Sequence, residues 1–451
     1  MLDSTLIQIG RDLQGLNDAT VHRWYRFVLA YPDHLITDLL ELFGVSTGDI
    51  VLDPFCGTGT TLIECKKAGI DSVGIDANPS AVLASQVKVN WDIDLELIKS
   101  LCDSVVTQTQ PISERFLLSD KPLFANDIDT TLLKQELLSA SREGQYIIKS
   151  GMLKRGWIDE IPFYISIALL THIKTLDIDA IYKLLLRLAL ASCMVESVAN
   201  VRFGPEIYVV NGSGNYDVLS KFKAKVQDIM EDLQDVQNIT KPGKADVIDG
   251  DSRECASLLR GRGIERVNFV ITSPPYPTEK DYTRNTRLEL VYLGFVYDKQ
   301  SLQRIKKKMV RSHSKGIYKA DTDGRFVAQI PEIKAIADEL REKTQDKTYG
   351  FAKLYPRIIE EYFGGMYLHL RSLSQILEPG GKAAYVVGEQ RTYLQTYTPT
   401  GKLIGLLAEQ PEIGLKVIDI PVWRMRRGTT GSGDVLKEEI VILQKEYHAQ
   451  R

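Results

Sequence analysis

Short apolar runs and longer helical stretches alternate along this chain, and their order predicts its architecture. "DIVLD" (49–53) reads as a brief buried strand that opens onto "PFCGTGTT", after which residues 61–68 take a helical pattern. "DSVGID" (71–76) is a second strand, and "PSAVLASQVKVNW" (79–91) a second helix. Strand–helix alternation of this kind implies parallel βαβ units. The rhythm then stops: residues 95 to about 240 are mainly helical, as in "AIYKLLLRLALASCMVESV" (180–198), with one irregular segment, "NVRFGPEIYVVNGSGNY" (200–216). It resumes with "ADVIDGD" (245–251), "RVNFVIT" (266–272), "KAAYVVGE" (382–389) and "EIVILQK" (439–445). "LEPGGK" (377–382) reads as a helix end followed by a Gly-Gly turn. The expected fold is α/β: a doubly wound, mostly parallel, seven-stranded sheet interrupted by insertions at about 95–240 and 298–350.

Composition narrows the class without naming a chemistry. A chain of 451 residues has room for two or three domains, or for one α/β domain with large insertions. The five cysteines form no CxxC pair, so neither a disulfide framework nor a metal site is expected, which suits a reducing cytoplasm. No apolar run reaches membrane-spanning length, and the first residues lack a secretory pattern. Net charge is −3, so any surface for nucleic acid must be local.

Candidate chemistry gathers at the strand ends. In "VLDPFCGTGTT", Gly57 and Gly59 allow a tight turn and close backbone approach of a ligand at a helix N-terminus. The third glycine of the dinucleotide fingerprint is missing, which argues against a nicotinamide site. Asp76 ends the second strand, where a carboxylate can accept both hydroxyls of a ribose. Asp251 ends the third, where it can face an adenine amine. With Asp53 these acids mark one carboxyl edge of the sheet, the edge where open α/β sheets bind ligands. A different signal follows the strand at 266–272. In "ITSPPY" two prolines remove two backbone donors and hold the flanking side chains in one pose.

"DPFCGTGTT" together with "TSPPY" resembles the DNA amino-methyltransferases, which use S-adenosylmethionine to methylate an exocyclic base nitrogen. Serine before Pro-Pro-Tyr resembles the cytosine-N4 branch; adenine-N6 members more often carry aspartate or asparagine there. "HRWYRFVLAYPDHLI" (22–36) is similar to the segment that closes over the methionine end of the cofactor in that family. The resemblance covers about 22–90, 245–295 and 360–445, in the order glycine loop first and SPPY corner later. It implies a class I methyltransferase-like sheet, with residues 1–94 as the cofactor-binding half, 95–240 as a mainly helical insertion at the place where some relatives keep their DNA-recognition region, and 241–451 as the catalytic half with the basic insertion 298–350; which insertion reads the DNA sequence is left open. Cofactor contacts are implied for His22, Phe27, Asp53, Pro54, Phe55, Gly57, Gly59, Thr60, Asp76, Ala77, Asp251 and Ser252. At the corner, Ser273 and the Pro274 carbonyl would accept hydrogen bonds from the target amine, and Pro275 would fix Tyr276 as a stacking face for a flipped base. Cys56 is expected to pack rather than react. The implied partner is double-stranded DNA, with a restriction endonuclease as a functional companion; the rival readings are an adenine-N6 enzyme, an RNA base methyltransferase and a non-catalytic cofactor-binding regulator.

Two basic stretches are candidates for DNA phosphates. "RIKKKMVRSHSKGIYK" (304–319) holds seven Lys/Arg and no acid, which puts Lys306, Lys307, Lys308 and Arg311 forward. "VWRMRRG" (422–428) is the second, with Arg424, Arg426 and Arg427.

Overall fold

The computed structural model describes residues 20–25, 31–121, 128–203, 207–210, 212, 217–278, 280–348, 350–391, 393–427 and 435–447. Strand β1 is Ile50–Asp53, β2 Asp71–Asp76, β3 Ala245–Asp249, β4 Val267–Thr272, β5 Leu377–Gly388, β6 Leu415–Asp419, β7 Val422–Arg427 and β8 Val435–Lys445. They form one sheet in the order β6-β8-β5-β4-β1-β2-β3, with β7 also on β8. Strands β1 to β5 run parallel to one another, and β8 is antiparallel to β5, β6 and β7. This is the class I methyltransferase-like sheet. From β1 the chain leaves through β2 to one side, while β4 takes the other. The switch point of the sheet therefore lies between β1 and β4, and a crevice opens beyond their carboxyl ends.

Two expectations need correction. The described sheet has eight strands, not seven, because β8 is long enough to carry two antiparallel partners on one edge. Strand β6 pairs with its end at Leu443 and Lys445, and β7 with its start at Val435 and Leu436. The Gly-Gly stretch is not a turn between helix and strand. The preceding helix Tyr355–Ser374 is over before it, and Leu377 already pairs with Val267; the next pairing is Phe269 with Lys382, so Pro379-Gly380-Gly381 bulges out of a continuous strand. Gly380 takes a φ of +82°, a conformation open to glycine at low cost.

Helices cover both faces. On one, α1 (Asp33–Phe43) packs Leu35, Ile36 and Leu39 against Val51, Ile271 and Val386. Beside it lie α2 (Thr60–Lys67) and α3 (Pro79–Lys88); Asn78 caps α3 by accepting from Ser80 N–H, with Pro79 at the first helical position. Between α3 and β3 the described residues hold six α-helices, from Leu95–Ser119 to Val218–Val236, and a hairpin of Val201–Phe203 with Ile207–Val209. Their buried Ile167, Leu169, Leu186 and Phe222 share one core with Ala84 and Val87 of α3. The insertion is thus continuous with the sheet's helical layer. On the opposite face, helices Tyr355–Ser374, Thr400–Ala408 and Pro331–Thr344 close a second core around Ile75, Val270 and Tyr385.

Candidate active site

One cavity of about 340 Å³ lies at the switch point, and both sequence motifs line it. From the first come Pro54, Phe55, Gly57 and Thr60; from the second come Ser273, Pro274, Pro275 and Tyr276. Two loops more than 200 residues apart are held together by an acid that does not itself line the cavity. Asp53 is fully buried and accepts from Tyr31 Oη (2.7 Å), Thr61 Oγ1 (2.7 Å), Thr272 Oγ1 (2.6 Å) and the Phe55 amide (3.1 Å). Thr272 is the residue before the corner, so Asp53 fastens the end of β4 to the end of β1. Burial pushes its carboxyl above the ordinary range, and the hydroxyl donors oppose that push.

The glycine loop is tied from two sides. The Gly57 amide donates to Asp76 Oδ2 (2.9 Å), and Ser85 Oγ of α3 donates to the Gly57 carbonyl (2.8 Å). Gly57 and Gly59 have φ of +52° and +88°, and a Cβ on Gly59 would come within 3.0 Å of Ser85 Oγ. This is the close backbone approach that a bulkier residue would forbid. Asp76 lines the cavity with Ala77 and also accepts from the Asn78 amide (2.7 Å). Burial raises its carboxyl to about 6, against the pull of those two amides.

Asp251 sits differently from its expected role. It is not part of the cavity wall, because Arg253 Nε contacts both its carboxylate oxygens (2.9 and 3.0 Å) and also pairs with Asp323. Its neighbour Ser252 does line the cavity. The Ser252 carbonyl accepts from His369 Nδ1 (3.0 Å), and since a carbonyl can only accept, that nitrogen carries the proton; Nε2 (2.7 Å) then accepts from Tyr385 Oη. Burial lowers this imidazole to about 4, so it stays neutral.

At the corner, Ser273 Oγ donates to the Val386 carbonyl (3.0 Å). Its only proton is thereby committed, and its remaining lone pairs are acceptors. Tyr276 lies 5.6 Å from the Arg426 guanidinium. A Cβ at Gly388 would meet Tyr276 Cε2 at 3.0 Å and Arg426 Nη2 at 2.9 Å, so that glycine lets the ring and the cation sit against β5.

The basic candidates divide. Lys306 (11% exposed) pairs with Asp281 at 2.6 Å, and Arg311 (6%) with Asp321 at 2.9 Å. Both are absorbed by the fold, which corrects the expectation that they face DNA. Lys307 is exposed, and Lys308, which borders the cavity, reaches Asp249 at 3.0 Å. Arg424 and Arg426 also line the cavity, joined to Glu438. The side chain of Arg427, like Phe27, lies outside the described residues.

His22 is a further departure. It does not line the cavity; its Nε2 lies 2.8 Å from Glu64 Oε1, and burial lowers its pKa. The insertion instead holds this segment, through Asp232 accepting from the Val21 amide (2.8 Å), Arg23 Nη2 (2.6 Å) and Trp24 Nε1 (2.9 Å). Sequence reasoning missed Tyr31, Asn78, Trp423 and Glu438 in the cavity wall, and His369 behind it. Only the alternation in "VWRMRR" carried a usable signal, since it marks a strand.

The cavity fits S-adenosylmethionine: a glycine cradle open where a side chain would intrude, an acceptor carboxylate at the second strand end, and a wall of mixed polarity. Residues 14–87 match the family model described as a DNA methylase, N6/N4 type. The type II methyltransferase M.BsoBI of Geobacillus stearothermophilus is 25% identical over 92% of this chain and 83% of its own length. M.AvaI of Nostoc sp. is 22% identical over 91% and 82%, respectively. A third type II methyltransferase, M.MjaII of Methanocaldococcus jannaschii, is 36% identical over 19% of this chain and 16% of its own. No helix among the described residues is long and apolar enough to cross a membrane.

Proposed function

We propose, for a chain that belongs to the S-adenosylmethionine-dependent DNA amino-methyltransferases of the N6/N4 type, that it methylates the N4 amine of cytosine in duplex DNA. The observation that carries methylation of a base amine is Ser273, whose proton goes to the Val386 carbonyl while its oxygen borders the cavity that Asp76 also lines; cytosine is chosen because serine before Pro-Pro-Tyr resembles the cytosine-N4 branch.

Pro54, Phe55, Gly57, Thr60, Asp76, Ala77 and Ser252 would hold the cofactor, with Asp76 accepting from its ribose. When bound, the cofactor supplies an electrophilic methyl on a sulfonium. The amine of a stacked base is out of reach, so the base must be flipped into the cavity. Tyr276 would stack on it. Ser273 Oγ and the Pro274 carbonyl would each accept an amine N–H, which turns the nitrogen lone pair out of the ring and toward the methyl. This arrangement needs no covalent nucleophile, and positioning supplies most of the rate. Asp53 acts behind these groups by fixing Thr272. Lys307, Lys308 and Arg424 are the cations we assign to phosphates. Residues 95–240 are the part we assign to reading flanking sequence, with Tyr208 and Val209 exposed on its hairpin. An endonuclease of the same specificity is the companion this reading implies.

Purified protein, tritiated S-adenosylmethionine and unmethylated plasmid DNA test the proposal. Digested product should contain N4-methylcytosine by mass spectrometry. N6-methyladenine alone would overturn the choice of base, and label transferred to RNA in place of DNA would overturn the choice of substrate.

A further inference from the structure

Just past the Ser-Pro-Pro-Tyr corner, cations outnumber the acid they gather around. Asp281 is nearly sealed, and both its oxygens are committed: Oδ2 accepts from Lys306 Nζ (2.6 Å) and Oδ1 from Thr283 Oγ1 (2.7 Å). Arg287 comes to the same place. Its Nε donates to the Thr283 carbonyl (3.0 Å) and its Nη2 to Thr283 Oγ1 (3.4 Å). Arg287 keeps part of its surface open, and among the described residues no carboxylate lies within salt-bridge reach of it.

The insertion adds a cation from another part of the chain. Arg155 is exposed in the turn after helix Arg142–Lys149, 5.7 Å from the Trp157 ring, and it too lacks a carboxylate partner among the described residues. Asn200, at the root of the hairpin, fixes that turn by donating to the carbonyls of Trp157 (2.8 Å, from its amide) and Gly156 (3.2 Å, from its side chain). Burial lowers the Arg287 pKa, Asp281 opposes the shift, and the charges of Arg284 and Arg155 add to it. One acid, already matched by Lys306, thus faces positive charge from two separate segments. A partly desolvated charge without an opposite partner is costly, and an anionic ligand would remove that cost.

The cluster sits at the rim of the cavity. Tyr282, between Asp281 and Thr283, lines the cavity, whereas Arg155 and Arg287 do not. We infer that Arg287 and Arg155 together bind a backbone phosphate of the DNA strand that carries the target base. The inference rests on the base-methylation reading above. A flipped nucleotide puts its base in the cavity and leaves its phosphates outside, at the rim. Guanidinium forks match phosphate oxygens in shape as well as charge. One fork comes from the helix that follows the corner and the other from the insertion, so a single phosphate ties the insertion to the corner when DNA is bound. The contact positions the strand and reads no base.

Arg155→Gln and Arg287→Gln each remove one charge. In anisotropy titrations of unmethylated duplex across a salt series, each should reduce the log-affinity versus log-salt slope by about 0.9. Cofactor affinity by calorimetry should stay at the wild-type value. A duplex with a neutral methylphosphonate at the phosphate flanking the methylated base should bind wild type about 10- to 100-fold more weakly than the natural duplex, and should cost the variants nothing further. Wild-type slopes in both variants would overturn the inference. So would an equal loss on the modified duplex in wild type and variants, or a loss of cofactor affinity that parallels the loss of DNA affinity. If Arg287→Gln fails to fold, exposed Arg155→Gln decides by the same criteria. Wild-type protein that transfers no methyl group to DNA would instead sink the methylation reading on which the inference stands, whatever the slopes.

Discussion

The two basic stretches carry similar charge and are used in opposite ways. In 304–319 the chain packs its cations against acids: Lys306 and Arg311 are nearly sealed, each beside a carboxylate from another segment or turn. In 422–427 the cations lie along an edge strand that lines the cavity, and their one acid, Glu438, is shared between two of them. Two cations of the denser run thus serve the fold, and two of the sparser one border the cavity. Charge density along a sequence measures neither exposure nor potential, because a buried partner 25 residues or only 10 residues away can cancel it.

Variants on the two sides should separate accordingly. The largest effect is expected inside the fold. Lys306→Ala leaves Asp281 buried without its partner and should cost about 3–5 kcal/mol in urea unfolding. Lys308→Ala, which breaks a half-exposed pair with Asp249, should cost under about 1 kcal/mol. Equal losses would erase the distinction. Next comes the stacking face beside Arg426. Tyr276→Ala should lower single-turnover rate by the equivalent of about 1–3 kcal/mol while cofactor affinity holds.

An acid that faces the cavity gives a comparable effect with a pH signature. Asp76→Asn should weaken cofactor binding by about 1–3 kcal/mol. In the wild type only the ionised carboxylate can accept both hydroxyls, and burial has raised it from 3.8 to about 6. Cofactor affinity should therefore fall about tenfold per unit as pH drops below about 6, and Asp76→Asn should flatten that slope. Stability of the ligand-free protein runs the other way. Between 3.8 and about 6 the folded state holds the proton that the unfolded state has lost, so this group's stabilising share disappears as pH rises through that window. Calorimetry across the interval checks both signs. The smallest effect belongs to exposed Lys307 and Lys308. Replacing each by Ala should reduce the log-affinity versus log-salt slope for DNA by about 0.9 per phosphate contact, with base preference intact. An unchanged slope would leave Arg424 as the cation on the DNA track.

These contrasts also mark what the sequence could reveal. Strands that end in an acid or in Ser-Pro-Pro-Tyr were legible because the motif residues are local to the strand end and have special backbone needs. Gly57, Gly59 and Asp76 are of this kind. Asp251 looked the same but is held by Arg253, two residues on, a competition that strand pattern does not report. His369 was invisible because a buried histidine in a helix has no local signature, and its two partners come from β5 and the segment after β3. Strand β7 was hidden by its charge. Its alternation was present, yet the arginines suggested a surface patch, and only pairing with β8 turns them toward the cavity.

The central seam of the sheet has a consequence for how the molecule is made. Strand β1 meets β4 across 218 residues of chain, as the Ile50 amide and Asn268 Oδ1 record at 2.8 Å. A ribosome completes the glycine loop, its helix and the whole insertion before the strand that carries the corner emerges. Pairings over such separations are entropically slow to close, and a chain tends to organise its early segments first. The segments around β1 and β2 and the insertion can therefore settle against each other while the place beside β1 waits for a strand. During that interval one flank of β1 offers unpaired backbone groups, a hazard for association with other chains. The two motifs that line the cavity meet only when the late strand fills the gap, so an incomplete nascent chain carries the glycine loop without the Ser-Pro-Pro-Tyr corner.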